Sequence, residues 1–224
     1  MDEPTAYEEL GHRNLNDAVF IKLKEQILNA TLKPGQKLRQ TELSKKYGVS
    51  RAPIRDALRK LEAEGLVTVN RGSAVVSSID LDQFLEIYRI REVLESLAAR
   101  MVVLNISDES LMALTELEKQ MEQASRNGDL SLWLQLDHKF HNDSYRSCKS
   151  PILLKMIVGL WDSTYYVRRK YIALPRGTER AEQTHRAILE ALARRDGKLY
   201  VRLVRKHIRE TVHTVLKMPE HVYD

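Results

Sequence analysis

One cysteine, Cys148, is all the chain has, so no internal disulfide can staple it, and this usage fits a reducing cytoplasm. No apolar run is long enough to span a bilayer. The first dozen residues, MDEPTAYEELGH, are polar and acidic and do not form a signal peptide. These absences point to a cytoplasmic protein with no membrane partner. Internal repeats and low-complexity segments are also missing. At 224 residues, one or two domains are expected, each large enough to bury a core.

Charge is not scarce but is unevenly spread. The net charge of +5 is modest, yet positions 33–60 carry nine Lys or Arg against two acids, Glu42 and Asp56. From residue 79 onward the balance is nearly even, with 23 Lys or Arg against 21 acids. A basic N-terminal third beside a near-neutral remainder is the electrostatic footprint of a phosphate-binding domain.

Residues 38–72, LRQTELSKKYGVSRAPIRDALRKLEAEGLVTVNRG, give that footprint a shape. Gly48 separates a short helix over 41–47 from a second that starts at Arg51. Ser50 stands as its N-cap and Pro53 falls in its first turn, where a missing N–H costs little. Ile54, Ala57, Leu58 and Leu61 form one buried stripe. Arg51, Arg55 and Arg59 recur on the opposite side. Such a row is usually a solvated face, but Lys45 and Lys46 on the preceding helix reinforce it. Segments 67–69 and 74–76 flank Asn70-Arg71-Gly72-Ser73 and read as a hairpin. Helix, turn, helix and basic wing together predict a winged helix-turn-helix that enters the major groove of duplex DNA.

Before this, residues 1–12 read as a flexible tail. A helix capped by Asn16-Asp17 is expected to run to about Ala30, stopped at Pro34-Gly35. Segment 77–80 reads as a linker. Beyond it only amphipathic helices are expected, near 81–104, 108–126, 129–147, 151–173, 178–194 and 197–217, separated by cap and turn residues. The fold class is therefore mainly α with a small β wing. The DNA-binding domain is placed at 13–78 and an antiparallel six-helix bundle at 79–224.

The helical half contains a candidate metal site. Asp137 and His141 are four apart and share a helix face. His185 and His207 sit amid apolar positions of the last two helices. Three imidazoles and a carboxylate suit a divalent transition ion, first of all Zn²⁺, with Ni²⁺ or Mn²⁺ as other candidates. An isolated inward histidine is more often a hydrogen-bonded core residue. His138 points off the Asp137 face, His12 and His221 fall in expected tails, and His213 lies on a different face from His207. Trp133 and Trp161 read as packing residues.

LKPGQKL, YGVSRAPIRDALRKLEAEGLV and NRG resemble the winged-helix domain of the GntR family of bacterial transcription regulators. IREVLESLAAR (90–100), DHKFH (137–141), EQTHRAILEALARRDG (182–197) and RKHI (205–208) resemble the helical FCD domain of its FadR-like branch. The resemblance implies a homodimer on a pseudo-palindromic operator, usually a repressor released by a small metabolite, and not an enzyme. It implies that Arg51 and Arg55 read guanines or grip phosphates and that Gly72 approaches the minor groove. Several relatives have arginine where this chain has Thr41, so the resemblance does not imply a third arginine base contact here, although Arg39 or Lys45 could supply a phosphate contact. Asp137, His141, His185 and His207 match the family's metal ligands, and Arg91 and Arg168 match arginines near a small organic acid effector. Arg91 could equally pair with Glu95 at i+4. Two other readings stay open: a metal that only braces the bundle, and a metal-dependent hydrolase joined to a DNA-binding module.

Overall fold

The structure, a computed structural model, describes residues 6–28 and 31–218, with side chains from Leu15 onward. The chain divides into two compact units, one through Ile79 and one from Asp80.

In the first unit, α1 (Ala6–Leu28) is followed by β1 (Lys37–Arg39), α2 (Gln40–Tyr47), α3 (Arg51–Ala63), β2 (Val67–Asn70) and β3 (Ser73–Val76). Helix α1 begins well ahead of Asn16-Asp17, so residues 6–12 belong to a helix and not to the expected tail. The segment AYEELGHRNLN holds several good helix formers and no proline, so local propensity lets the helix extend. Residues 1–5 of that tail, and the expected helix end at Ala30, lie outside the described residues.

The inward stripe of α3 is as its spacing requires. Ile54, Ala57, Leu58 and Leu61 are fully buried against Leu23 of α1 and Ala74 of β3. Gly48 adopts φ 66°, which ends α2 and turns the chain into α3. The wing is three-stranded, in order β1-β3-β2 and antiparallel throughout. Strand β1 was not legible in the sequence, because three residues with one inward side chain, Leu38, give no period to read. Arg71 and Gly72 form the two-residue turn between β2 and β3, and Gly72 takes φ 75°.

The second unit is helical: α4 (Leu81–Asn105), α5 (Asp108–Arg126), α6 (Leu130–Arg146), α7 (Pro151–Ser163), α8 (Tyr165–Ile172), α9 (Gly177–Ala193) and α10 (Gly197–Val215). Asp80 and Gln83 close a reciprocal capping box on α4. Ser107, Asp129, Ser150 and Asp196 each accept a backbone N–H at the start of the helix that follows them. Helix α5 packs on α6 and α9, α10 on α4 and α9, and α7 on α4 and α6.

One expected helix, over 151–173, is two. At Thr164 the backbone leaves helical geometry (φ −99°, ψ 3°) and the Thr164 hydroxyl donates to the carbonyls of Leu160 and Trp161, both at 3.2 Å. A hydroxyl that binds the preceding turn competes with the helical ladder, and here it divides α7 from α8. The bundle thus has seven helices where six were expected. Entry to α9 is equally tight. A Cβ on Gly177 would stand 2.2 Å from the Ile172 carbonyl oxygen, so that position has room only for glycine.

Candidate functional site

The residues proposed to touch DNA all lie at the surface of the first unit. Arg51, Arg55 and Arg59 are exposed along the outer side of α3, Lys45 on α2, and Arg71 and Gly72 at the turn of the wing. Among the described residues none of the three α3 arginines is held by a strong ion pair; Arg55 Nε stands 3.8 Å from its neighbour Asp56. Arg39 is partly committed, donating to Glu42 at 2.8 Å with both side chains exposed. Ser50 occupies the N-cap of α3 with extended backbone, but its side chain makes no capping bond. Its exposed hydroxyl therefore remains available to an outside acceptor.

In the second unit, α6, α9 and α10 bring the four proposed ligands together. Asp137 and His141 are buried on one face of α6, His185 is fully buried in α9, and His207 is half-buried in α10. His141 Nε2 and His185 Nε2 are 3.1 Å apart, and Asp137 Oδ1 lies 3.5 Å and 3.4 Å from these two nitrogens. Ligand atoms of the three histidines all fall within 4.8 Å of one another. Around a metal with bonds of about 2.0–2.2 Å, neighbouring ligand atoms sit roughly 2.9–3.6 Å apart. The Asp137–His141–His185 spacings match the edges of such a polyhedron, and a ligand atom of His207, from the third helix, lies within 4.8 Å of those of both other histidines.

The electrostatics suit the same purpose. Burial would raise the Asp137 carboxyl, but the Arg168 guanidinium and the His141 hydrogen bond outweigh it and hold it well below the usual carboxylate range. Burial lowers all three imidazoles. His185 is taken to about 3, with His141 adding to the effect, and His207 falls well below its ordinary value. Three neutral imidazoles beside an ionised carboxylate are in the protonation state that metal ligation demands. Among the described residues His185 Nδ1 has no partner, while its Nε2 faces His141 Nε2 and Asp137 Oδ1.

Arg168, on α8, donates to Asp137 Oδ2. Arg91 donates through Nε to Glu95 at 2.7 Å, the pairing its i+4 spacing left open. Both guanidinium groups stack on Trp161, at 4.1 Å (Arg91) and 3.9 Å (Arg168) from its ring centroid, and each has a buried Nη1 with no partner among the described residues. Glu95 also accepts from Trp161 Nε1 at 2.9 Å and from the Tyr145 hydroxyl at 2.7 Å. Trp133 is core, with its indole N–H on Glu182. His138 is outside the cluster, bonded to Asp162 at 2.8 Å.

Sequence reading missed Glu95 as the hub of this network, because two of its three donors, Tyr145 and Trp161, come from α6 and α7. It also missed the cavity between α8, α9 and α10, lined by Arg180, Lys206, His207 and His213. Among the described residues no helix is long and apolar enough to cross a membrane.

Comparison with known proteins agrees with this division. Residues 15–76 match the family of bacterial regulatory proteins, gntR family, and residues 86–210 match the FCD domain. The chain is 32% identical over 202 residues to the HTH-type transcriptional regulator YdhC of Bacillus subtilis, covering 88% of this chain and 85% of that one. It is 27% identical to the HTH-type transcriptional repressor RspR of Escherichia coli, covering 90% and 89%. The solved structure of Escherichia coli McbR/YncC superposes with a TM-score of 0.81 at 26% identity, covering 91% of this chain and 97% of that one. These relatives are regulators and not enzymes. With both of its units matched, the chain belongs to the GntR family of DNA-binding transcriptional regulators, in the form that carries a C-terminal FCD domain.

Proposed function

We propose that this regulator is a repressor whose operator affinity is set by a small organic acid held at a divalent metal centre in the helical unit. The observation that carries this reading is that Asp137, His141 and His185 stand at the spacing of a ligand shell, with His207 close beside the two histidines. Three histidines and one carboxylate suit Zn²⁺ or a similar first-row ion, and a further oxygen ligand enters by expansion of the shell to about five or six positions. Bound there, the ion supplies a Lewis-acidic anchor for a carboxylate. Arg91 and Arg168 add buried donors on the same side, and their unpartnered Nη1 atoms suit an anionic guest.

Operator binding falls to α3 and the wing. Arg51 and Arg55 read base edges, Arg59, Lys45 and Arg39 neutralise phosphates, the Ser50 hydroxyl binds a phosphate oxygen, and Arg71-Gly72 enters the minor groove. The acid releases DNA by favouring a domain arrangement that binds the operator less well, so it acts only through its differential affinity for the two states. A titration of operator DNA tests the whole reading. The effective acid should weaken wild-type binding by about 5–150-fold, and only with metal present. Arg55→Ala should lose about 1–3 kcal/mol of discrimination at one base position, whereas Lys45→Ala should weaken all DNA alike. An acid that binds without moving operator affinity would reduce the metal to a brace for the bundle.

A homodimer on a pseudo-palindromic site completes the proposal. Its support is an apolar stripe on α4, where Ile90, Val93, Leu97 and Leu104 are all exposed although they repeat at helical spacing. Val93→Glu is expected to convert a two-chain particle to a single chain in sedimentation and to abolish tight operator binding. An unchanged mass would move the interface elsewhere.

A further inference from the structure

His207 has two environments. One side of its ring meets His141 and His185, with ring centroids 5.1 Å away in both cases. The other lines a cavity of about 380 Å³ between α8, α9 and α10. That volume is near the lower end for ligand pockets, which suits a small metabolite and not a cofactor.

The walls of this cavity are charged in a particular way. Arg180 on α9 and Lys206 on α10 bring two cations, and Glu210 is the one carboxylate among the described residues that line it. Arg176 takes Glu179 bidentately, which leaves the adjacent Arg180 guanidinium with no ion pair among the described residues. Lys206 stands 3.6 Å from Glu210, and both side chains are largely exposed, so this pair holds the ammonium only weakly. Thr184 and His213 add polar groups between the two cations.

The inner end is positive too once an ion is bound. A divalent ion adds two charges to a centre whose one carboxylate, Asp137, already faces Arg168. A ligand in the cavity thus meets Arg180 and Lys206 in its lining and, beside His207, the charge of the metal centre. A monocarboxylate answers one of these two positive regions.

Building on the acid-effector reading above, we propose that the effector is a small dicarboxylic acid. One carboxylate lies at the metal centre beside His207 and the other on Arg180 and Lys206. Selection follows from the outer pair, because two charge-assisted contacts are lost by any acid that ends in a methyl group.

The test is calorimetric titration of the full-length, zinc-loaded protein with matched acids, succinate against butyrate and glutarate against valerate. The dicarboxylates should bind tighter by about tenfold or more. Arg180→Gln combined with Lys206→Gln should bring them down to the monocarboxylate level, with monocarboxylate affinity and zinc content unchanged. Glu210→Gln should act oppositely and tighten dicarboxylate binding several-fold. These residues are exposed, so folding should survive all three changes. Equal affinities for the matched acids in the wild-type protein would overturn the dicarboxylate proposal alone, as would a preference that persists in the double variant. Binding of no acid at all would overturn the acid-effector reading with it.

Discussion

Stripping the metal with a chelator is expected to lower the melting temperature of this regulator by on the order of 10 °C, and added Zn²⁺ should restore it. An ion that binds only the folded chain stabilises it by RT ln(1 + [M]/Kd), about 4 kcal/mol at a thousandfold excess over Kd. For a chain of this size each kcal/mol moves the midpoint by roughly 2–4 °C. The folded protein offers the ion a prepared site, with two imidazole nitrogens 3.1 Å apart and Asp137 Oδ1 within 3.5 Å of each. The unfolded chain disperses those ligands over 71 positions, from Asp137 to His207. The variant to compare is His207→Ala, because this ring is half-buried and its loss disturbs packing less than removal of His185. Its midpoint should be nearly the same with and without zinc. A wild-type midpoint indifferent to both chelator and zinc would remove the metal from the proposal.

How far these features could be read from sequence depends on whether the cause is local. Ile54, Leu58 and Leu61 on one side of α3 and the arginines on the other follow from a 3.6-residue period, and the structure keeps both sides. Asp137 and His141 share a face for the same reason. His185 and His207 could be aimed inward because their neighbours Ile188, Leu189, Val204 and Ile208 are apolar, and all four of those are buried. The readings that changed turn on contacts a period does not encode. The break in 151–173 is made by one hydroxyl, that of Thr164, reaching back to two carbonyls. Strand β1 exists because β3 offers it an edge. Arg168 meets Asp137 across two helices, and that pairing is set by how α8 folds back after the break. His213, which its spacing puts on a different face from His207, lines the same cavity as His207.

Glu95→Ala should be among the most destabilising single changes in the helical unit, at about 3–5 kcal/mol. Glu95 is 1% exposed and Arg91 2% exposed, so the ion pair between them is out of water. Glu95 Oε1 accepts from Arg91 Nε and Trp161 Nε1, and Oε2 accepts from the Tyr145 hydroxyl. One carboxylate therefore ties α4, the helix that leads in from the DNA-binding unit, to α6, which carries two of the proposed metal ligands, and to α7. Its removal leaves a buried guanidinium uncompensated and two buried donors unsatisfied, and each of these costs far more than the pair contributes net. Glu95→Gln keeps an acceptor for Trp161 and should lose less. Replacing both partners, Arg91→Met with Glu95→Leu, removes the stranded charge and should recover much of the stability. A double-mutant cycle on thermal or urea unfolding would read a coupling of roughly 1–3 kcal/mol between them. If Glu95→Leu and Arg91→Met instead add independently, the guanidinium is not stranded by loss of the carboxylate, and the cost of Glu95→Ala lies in the Trp161 and Tyr145 donors alone.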